Sequence, residues 1–343
     1  IDEVHYFMRD VRGVQVLCLL ERLQRLAGVV PRRIGLSATL GDLTVAQSWL
    51  NSGTGRSCAA PVCGAEKQKI RLLVQRFQRA DQTTPDGALD AGEAAHYEYL
   101  YRMTLDRKTI LFTNSREETE LVMAHLRQLA LKNKTPDVYR VHHGNISAVL
   151  REQAEDEMKS AQEKLVTGAT VTLELGIDIG SLDQVVQVGT PATVSSFAQR
   201  LGRCGRRGQI PQILFTFMDD VHTTAADQLG PINWSFLRMI AIIELYTKQK
   251  WVEPLTPGRY PYSMLYHQTM SYLLSAGEAT ARELMGAVLR LSCFQEIPQE
   301  DYRILLRHLL LIGHLQKMES GGLIIGRAGE KVVSDYHFLA VFQ

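Results

Sequence analysis

The hydrophobic and polar positions at the start of the chain follow the periods of regular secondary structure. From Val14 to Ala27 apolar residues recur three or four positions apart with charged residues between them, which is the pattern of an amphipathic helix. Leu43 to Leu50 predicts a second helix, and the short run from Arg33 to Ser37 predicts a buried strand. Strands that alternate with helices are typical of a parallel sheet covered by helices, so the predicted fold class is α/β.

A second alternating block follows a polar, turn-rich stretch at residues 78–94, which is predicted to be a linker or loop. The apolar runs of this block predict strands, and its periodic segments predict helices. The predicted strands are Lys108–Thr113, Val138–His142, Lys164–Thr167, Val185–Val188 and Gln212–Phe217, and the predicted helices are Glu117–Leu131 and Ser147–Lys159. These elements suffice for a complete doubly wound domain.

The last third of the chain is mainly helical in its periodicity. Phe236–Leu245 predicts a buried helix, and Leu265–Leu274 and Gln299–Ile312 predict two more. Two short strands, His314–Met318 and Gly322–Gly326, are predicted to pair around a turn. Helices followed by such a hairpin indicate a winged helix.

Composition and charge narrow the class of protein. The chain has 343 residues, of which 45% are apolar and 22% charged, so it is long enough for two or three hydrophobic cores. A net charge of +1 does not favour wholesale coating of nucleic acid, although binding can be confined to one groove. The sequence shows no run of eighteen apolar residues and no basic-then-apolar leader, so neither membrane insertion nor export is predicted. The five cysteines form no paired framework, and reduced thiols in the cytoplasm are expected.

Two short polar segments carry candidate chemistry. Gln199–Gly208 contains four arginines spaced by glycines, and arginine presents a charged planar fork that can stabilise a transferring γ-phosphate. A solvated basic loop is the alternative interpretation. Asp2 and Glu3, followed by His5, form an arrangement that can hold Mg²⁺ and polarise water; the alternative here is an acidic pair that caps a helix.

In chain order, four segments resemble the motifs of superfamily 2 helicases of the DEAD/DEAH-box type. Asp2-Glu3-Val4-His5 resembles motif II, Ser37-Ala38-Thr39 resembles motif III, Thr172–Asp178 resembles motif V, and Gln199–Arg206 resembles motif VI. The resemblance is strongest to the large-helicase-related, or Lhr-type, branch, because motif V contains Leu-Glu-Leu-Gly-Ile-Asp. It covers most of the first 220 residues, and the remainder only weakly.

This resemblance implies RecA-like parallel sheets followed by an α-helical and winged-helix region. It places the end of the first RecA-like domain at residues 1–65, a complete second one at 66–225, and a helical linker with a winged helix at 226–343. No Gly-x-x-x-x-Gly-Lys-Ser/Thr loop occurs in the sequence. We therefore interpret the chain as the carboxyl-terminal piece of a longer protein.

The resemblance also implies how ATP and Mg²⁺ would be handled. Asp2 would hold Mg²⁺ through water, and Glu3 would orient and deprotonate the attacking water. His5 would connect them to Ser37-Ala38-Thr39 or to Gln199, and the Ser-Ala-Thr segment would link the nucleotide state to domain closure.

Motifs V and VI supply the remaining nucleotide contacts in this interpretation. Arg203 and Arg206 would contact the γ-phosphate, with Arg206 as the arginine finger, whereas Arg200 and Arg207 are expected to be solvated or near the nucleic-acid backbone. Asp178 would reach a ribose hydroxyl, or alternatively cap a turn. The residues expected to contact ATP are Gly176, Asp178, Gln199, Arg203 and Arg206.

Contacts to nucleic acid are expected where predicted strands end. Thr113-Asn114-Ser115-Arg116 follows a strand and opens a helix, and the amides of a helix N-terminus suit a backbone phosphate. Equivalent strand ends are occupied by Thr172 and by the segment His142–Ser147, which includes His143 and Gly144. The expected partner is single-stranded or tailed duplex DNA rather than RNA.

The sequence thus predicts part of an ATP-dependent helicase or translocase. ATP would be hydrolysed between two RecA-like domains, and their opening and closing would move the protein along a single strand. A translocase that moves on a duplex and a non-catalytic nucleic-acid-binding module remain as alternatives.

Overall fold

A computed structural model describes residues 1–61, 69–79, 89–142, 148–159, 164–174, 182–205, 210–219, 234–255 and 260–339 of the chain. The chain forms two compact units. Unit 1 consists of Ile1–Val62 together with Pro254–Gln343, and unit 2 consists of Cys63–Glu253.

The regular elements of the described residues are as follows. The helices are α1 (Val4–Phe7), α2 (Val11–Ala27), α3 (Leu43–Asn51), α4 (Ala91–Thr104), α5 (Arg116–Lys132), α6 (Ala148–Lys159), α7 (Val194–Leu201), α8 (Trp234–Thr247), α9 (Tyr262–Ala276), α10 (Ala281–Leu284), α11 (Gln299–Leu311), α12 (Arg327–Val333) and α13 (Tyr336–Leu339). The strands are β1 (Arg71–Gln78), β2 (Thr109–Phe112), β3 (Tyr139–His142), β4 (Val166–Ala169), β5 (Gln184–Val188), β6 (Gln212–Asp219), β7 (Leu315–Lys317) and β8 (Leu323–Ile325).

Unit 2 is built on a six-stranded sheet in the order β1-β6-β5-β2-β4-β3, and every neighbouring pair is parallel. Alternate residues of the central strands enter two separate cores. In β2, Ile110 and Phe112 join one cluster while Leu111 joins the other, and Val185 and Val186 of β5 divide in the same way. Because both faces of the sheet are buried, the central strands are almost continuously apolar, and this explains why the sequence predicted them.

Unit 1 joins the first 62 residues to the last third of the chain through a common core. Cys18 of α2 is fully buried and packs with residues of α9, α11 and the hairpin strands. The predicted hairpin is present as an antiparallel pair, with Leu315 opposite Ile325 and Lys317 opposite Leu323. Each of its strands is three residues long.

The periodicity did not predict several elements of the described residues, among them β1, α4 and α7. Strand β1 lies at an edge of the sheet and alternates exposed with half-buried positions, so it lacks a long apolar run. Helix α4 begins at Ala91, and the predicted loop is therefore wrong for residues 91–94. Asp90 and Glu93 form a capping box there, each accepting the other's backbone N–H. Residues 80–88 of the predicted loop lie outside the described residues.

Two further predictions need correction. Arg33–Ser37 is not a strand: Leu36 forms two backbone hydrogen bonds, with Ile1 and Val4, and Ile34 and Leu36 are about 60% exposed, at 62% and 60%. Two backbone hydrogen bonds at a single residue do not form the regular series of bonds that defines a β-strand. Phe236–Leu245 is helical but only one face is buried, since Leu237 is 45% exposed.

Helix α8 belongs to the core of unit 2. Its inward face carries Met239 and Ile242, which join the cluster formed by Ile110 and Phe112 on one face of the sheet. The compact unit therefore continues to Glu253, beyond the predicted domain boundary at residue 225.

Histidine 96 should make the stability of unit 2 depend on pH. It is 5% exposed, its Nε2 lies 2.9 Å from Thr216 Oγ1, and burial lowers its pKa to about 4. The unfolded chain therefore binds this proton more strongly, and the stabilisation is present above pH 6.5 and lost as the pH falls towards 4. We expect His96→Gln to remove up to about 3 kcal/mol of pH-dependent stability over this range.

Chemical denaturation of the wild type and His96→Gln at several pH values between 7 and 4 measures this effect. The exposed His308 supplies a matched control. In His308→Gln the free energy of unfolding should depend on pH as it does in the wild type. If the free energy of unfolding depended on pH equally in the wild type and in His96→Gln, His96 would not be the source of the pH dependence.

Among the described residues, none of the helices is both long enough and apolar enough to cross a membrane.

Candidate functional site

The predicted motif II and motif III segments meet in unit 1. His5 is 3% exposed, and its Nδ1 lies 2.7 Å from Ser37 Oγ and 3.3 Å from Glu3 Oε2. The Thr39 amide donates to the same Ser37 hydroxyl at 3.3 Å, while Ala38 between them is exposed. One histidine thus connects the acidic pair to the Ser-Ala-Thr segment.

Burial, and then the charge of Arg9, lower the pKa of His5. The ring is therefore neutral at neutral pH, and a neutral imidazole has one N–H donor and one acceptor nitrogen. The backbone of Glu3 is left-handed, with φ of 47°, a conformation that costs energy for a residue other than glycine and is often found at functional sites.

Asp2 offers the carboxylate that a magnesium–nucleotide complex requires. It is exposed, and its Oδ1 accepts the Glu3 amide at 2.9 Å. Within the described residues no group of three His, Cys, Asp or Glu side chains could by itself hold a metal ion. Mg²⁺ commonly keeps several waters and uses one or two carboxylates together with substrate phosphates, so a single exposed carboxylate fits such a site.

Polar groups also collect at the carboxyl edge of the sheet in unit 2. Thr113 directly follows β2, and its hydroxyl donates to Ser115 O at 2.9 Å. Ser115 caps α5 by accepting the Glu118 amide at 3.0 Å, and Glu118 Oε2 accepts the Asn114 amide at 3.0 Å. Two of the amides expected to face a phosphate are therefore already bonded within the protein. Asn114, Ser115 and Arg116 are exposed there.

A buried histidine of the predicted segment 142–147 lies at the carboxyl end of β3. His142, the last residue of β3, is 1% exposed; its Nδ1 lies 3.0 Å from Thr172 Oγ1 and its Nε2 lies 2.9 Å from Glu155 Oε1. The Thr172 hydroxyl also donates to the His142 carbonyl at 3.1 Å. Thr172 is thus fixed to β3, whereas His143 and Gly144 lie outside the described residues.

The first part of the predicted motif VI is helical and largely buried. Helix α7 is capped at its N-terminus by Thr193, whose hydroxyl accepts the Ser196 amide at 3.0 Å, and Glu253 accepts the amides of Val194 and Ser195. Gln199 is half-buried near the end of this helix. The helix therefore presents its inward face, including Arg200, to the sheet.

The expectation that Arg200 is solvated or near nucleic acid is wrong. Arg200 is 3% exposed, and its guanidinium donates to Glu174 Oε1 and Gln187 Oε1 and lies 4.7 Å from the centre of the Phe112 ring. Burial lowers its pKa and the Glu174 carboxylate opposes that shift. The physical reason is the register of α7, which turns this position inward onto a carboxylate 26 residues away in the chain.

Arg203 follows the same helix and is 8% exposed. Its Nη2 donates to the Glu174 carbonyl, so it is held within unit 2. The alternative of a solvated basic loop is thus excluded for Arg200 and Arg203. Gly176, Asp178 and Arg206 lie outside the described residues, and their nucleotide contacts stay predictions.

The chain is similar to one protein family and to several known proteins. The helicase conserved C-terminal domain family matches residues 94–208. The ATP-dependent helicase Lhr-Core protein 2 of Thermococcus barophilus is 36% identical over 215 residues, which is 60% of this chain and 24% of that protein. The Lhr helicase/uracil glycosylase of Escherichia coli is 33% identical over 255 residues, covering 63% of this chain and 16% of that protein.

A solved structure extends the similarity to almost the whole chain. The Mycobacterium smegmatis helicase Lhr bound to ssDNA and AMP-PNP superposes with a TM-score of 0.75 and 26% sequence identity, over 96% of this chain and 41% of that one. The parallel sheet, the family match and these relatives support a fragment of a superfamily 2 helicase. Within this superfamily, the chain is similar to helicases of the Lhr type.

Proposed function

We propose that the chain forms part of an ATP-dependent motor that moves on single-stranded DNA. ATP would bind between two RecA-like domains, the first contributing residues 1–65 and the second beginning at about residue 66. The chain spans 24% of the archaeal relative, so the activity proposed is that of a protein of the relatives' length.

One observation carries the proposal: polar side chains gather where the parallel strands of unit 2 end. Thr113, His142 and Thr172 follow or end the adjacent strands β2, β3 and β4. Open α/β sheets bind ligands outside the carboxyl ends of their strands. Exposed Asn114 and Arg116 beside Thr113 supply the donors that a phosphate backbone requires.

On the nucleotide side, the proposal gives Asp2 and Glu3 separate roles. Mg²⁺, when bound, would neutralise charge on the phosphates, and Asp2 would hold it. Glu3 would take the proton of the attacking water, and His5 would orient Glu3 while joining it to Ser37. Arg203 and Arg206 would stabilise charge on the γ-phosphate.

DNA is the proposed partner because the Mycobacterium smegmatis neighbour was solved with ssDNA. With a net charge of +1, binding should be confined to one groove and depend on a few phosphate contacts. Such contacts do not read sequence, so affinity should vary little between DNA sequences of equal length.

Arg116 provides a direct test of this groove. In Arg116→Ala we expect the dependence of affinity on salt to weaken by about 0.7 in the slope of log K against log salt, the value for one phosphate contact on a single strand. Fluorescence anisotropy of labelled single-stranded DNA with the chain itself, over a series of salt concentrations, measures the slope.

Arg102 is the matched control, because it is equally charged, 72% exposed in its side chain and located on α4. Arg102→Ala should keep the wild-type slope. An equal change in both variants, or in neither, would remove Arg116 from the groove. Labelled RNA of the same sequence in parallel tests the preference for DNA.

The chain alone should not turn over ATP. Its sequence contains no Gly-x-x-x-x-Gly-Lys-Ser/Thr loop to hold the phosphates, so hydrolysis should be no faster than in buffer. Release of phosphate by the purified 343-residue chain, with and without single-stranded DNA, measures this. DNA-stimulated release would contradict the expectation.

The helices and hairpin of unit 1 favour a winged-helix interpretation of residues 260–339. The exposed arginines of α11 are partly neutralised, since Arg303 and Arg307 lie 3.1 and 3.8 Å from Glu300. This module is therefore proposed to support the motor rather than to read a DNA groove.

A translocase that moves on duplex DNA is the second candidate function. Parallel assays of strand separation and of translocation distinguish it from a helicase that moves on a single strand.

A further inference from the structure

A buried ion pair connects the predicted motif V and motif VI segments in unit 2. The side chains of Glu174 and Arg200 are only 9% and 3% exposed. Arg200 Nε donates to Glu174 Oε1 at 2.7 Å, Ser196 Oγ donates to the same oxygen at 2.7 Å, and Arg200 also bonds Gln187. The pair is thus fixed both within α7 and to β5.

Stability alone is a weak reason for such a pair. Removing two charges from water is costly, and apolar residues of similar volume often replace a buried pair without loss of stability. Arg200 also lies over the ring of Phe112, at the end of β2, where an apolar side chain would pack equally well. The pair of Glu174 and Arg200 can instead fix the position of a neighbouring side chain.

The geometry that the pair fixes is that of Arg203. The Glu174 side chain is bonded to α7, and the Glu174 carbonyl accepts a hydrogen bond from Arg203 Nη2. The position of this carbonyl depends on how the side chain of the same residue is anchored. Any movement of Glu174 should therefore change the direction of the Arg203 guanidinium.

The same short segment is attached to the sheet edge at its other end. Thr172 lies two residues before Glu174 and is bonded through its hydroxyl to His142, at the end of β3. Residues 172–174 therefore join the edge proposed to contact DNA to the arginine proposed to contact the γ-phosphate. A rigid link of this kind can transmit a change at either end.

We propose that Glu174 and Arg200 are positioning residues which, through the Glu174 carbonyl, set the orientation of Arg203 and make ATP turnover responsive to bound single-stranded DNA. The inference rests on the proposed motor function. It assigns no catalytic contact to either residue, because neither needs to touch ATP.

The test uses Glu174→Gln in a chain extended to the length of its curated relatives. Three quantities are measured: kcat at saturating single-stranded DNA, KM for ATP, and the ratio of turnover with DNA to turnover without it. We expect kcat with DNA to fall about tenfold or more and the ratio to approach one, with KM for ATP little changed. A merely structural role would lower turnover with and without DNA in proportion to the folded fraction, and the ratio would stay at its wild-type value.

A double variant, Glu174→Leu with Arg200→Met, keeps the test valid if the single variant does not fold. Replacing both partners removes the unpaired buried charge, so thermal unfolding should be close to wild type. The DNA-stimulation ratio should nevertheless remain near one. A wild-type ratio in the folded double variant would overturn the inference.

The exposed pair of Arg102 and Glu98 gives the matched control, and Glu98→Gln should leave all three quantities unchanged. If Glu98→Gln lowers the ratio as much as Glu174→Gln, the inference is overturned. A wild-type protein whose turnover does not respond to DNA would overturn the proposed function and this inference with it. Stimulation that survives in both Glu174 variants would overturn the inference alone.

Discussion

Replacing Arg206 by alanine in a chain of the relatives' length is expected to lower ATP turnover by about 10³–10⁵, the range for an arginine finger in phosphoryl transfer. Arg206 is the last arginine of Gln199-x-x-Gly202-Arg203-x-Gly205-Arg206. This position is proposed to face the γ-phosphate, where a planar charged fork stabilises charge in the transition state. Affinity for single-stranded DNA without nucleotide should be almost unchanged.

Arg206 could contact either the γ-phosphate or a phosphate of the DNA. Measuring ATP turnover and DNA affinity on the same Arg206→Ala protein distinguishes these two roles. A lost phosphate contact on DNA would weaken the salt dependence by about 0.7 and leave turnover at saturating DNA near normal. That outcome would assign Arg206 to the DNA groove. Arg206→Lys is the matched variant: it keeps the charge without the fork, so most of the loss should persist.

Glu3→Gln in the same extended chain is expected to reduce hydrolysis by about 10²–10⁴, the usual contribution of a general base, while ATP still binds. The amide keeps the shape of the side chain but cannot accept the proton of the attacking water. Among the described residues, His5 Nδ1 lies 3.3 Å from Glu3 Oε2, which places the imidazole beside this carboxylate. Phosphate release and equilibrium binding of a fluorescent ATP analogue measure the two effects.

Asp10→Asn is the control for Glu3→Gln, since Asp10 is an exposed acidic residue of the same unit that pairs with Arg12 at 3.7 Å. It should retain wild-type hydrolysis. If Glu3→Gln kept more than about a tenth of the wild-type turnover, a difference of only about 1.4 kcal/mol, Glu3 would not be the base.

The sheet of unit 2 was largely predictable because its central strands are buried on both faces. Thr109–Phe112 and Gln184–Val188 lie within one residue of the predicted bounds at each end. The edge strand Arg71–Gln78 was missed because half-exposed positions admit arginine and glutamine. Helix α4 was missed although its capping residues, Asp90 and Glu93, were visible in the sequence.

The sequence predicted which segments form the candidate site, because the motifs occur in a recognisable order. It did not predict most of the contacts between their side chains. The expected connection between His5 and the Ser-Ala-Thr segment is present as a contact with Ser37. The burial of Arg200 could not be predicted, because it depends on the register of α7 and on Glu174, a residue distant in the chain. An arginine-rich sequence does not by itself distinguish a charge that faces solvent from one that is paired inside the fold.

ATP hydrolysis by a chain of the relatives' length, measured while single-stranded DNA is titrated in, tests directly whether the protein is a motor that acts on DNA. We expect turnover to rise with DNA to saturation, and we expect Glu3→Gln to abolish it in a protein that still binds ATP and DNA. If the folded wild-type protein binds single-stranded DNA but hydrolyses ATP no faster with it than without it, the protein is not such a motor.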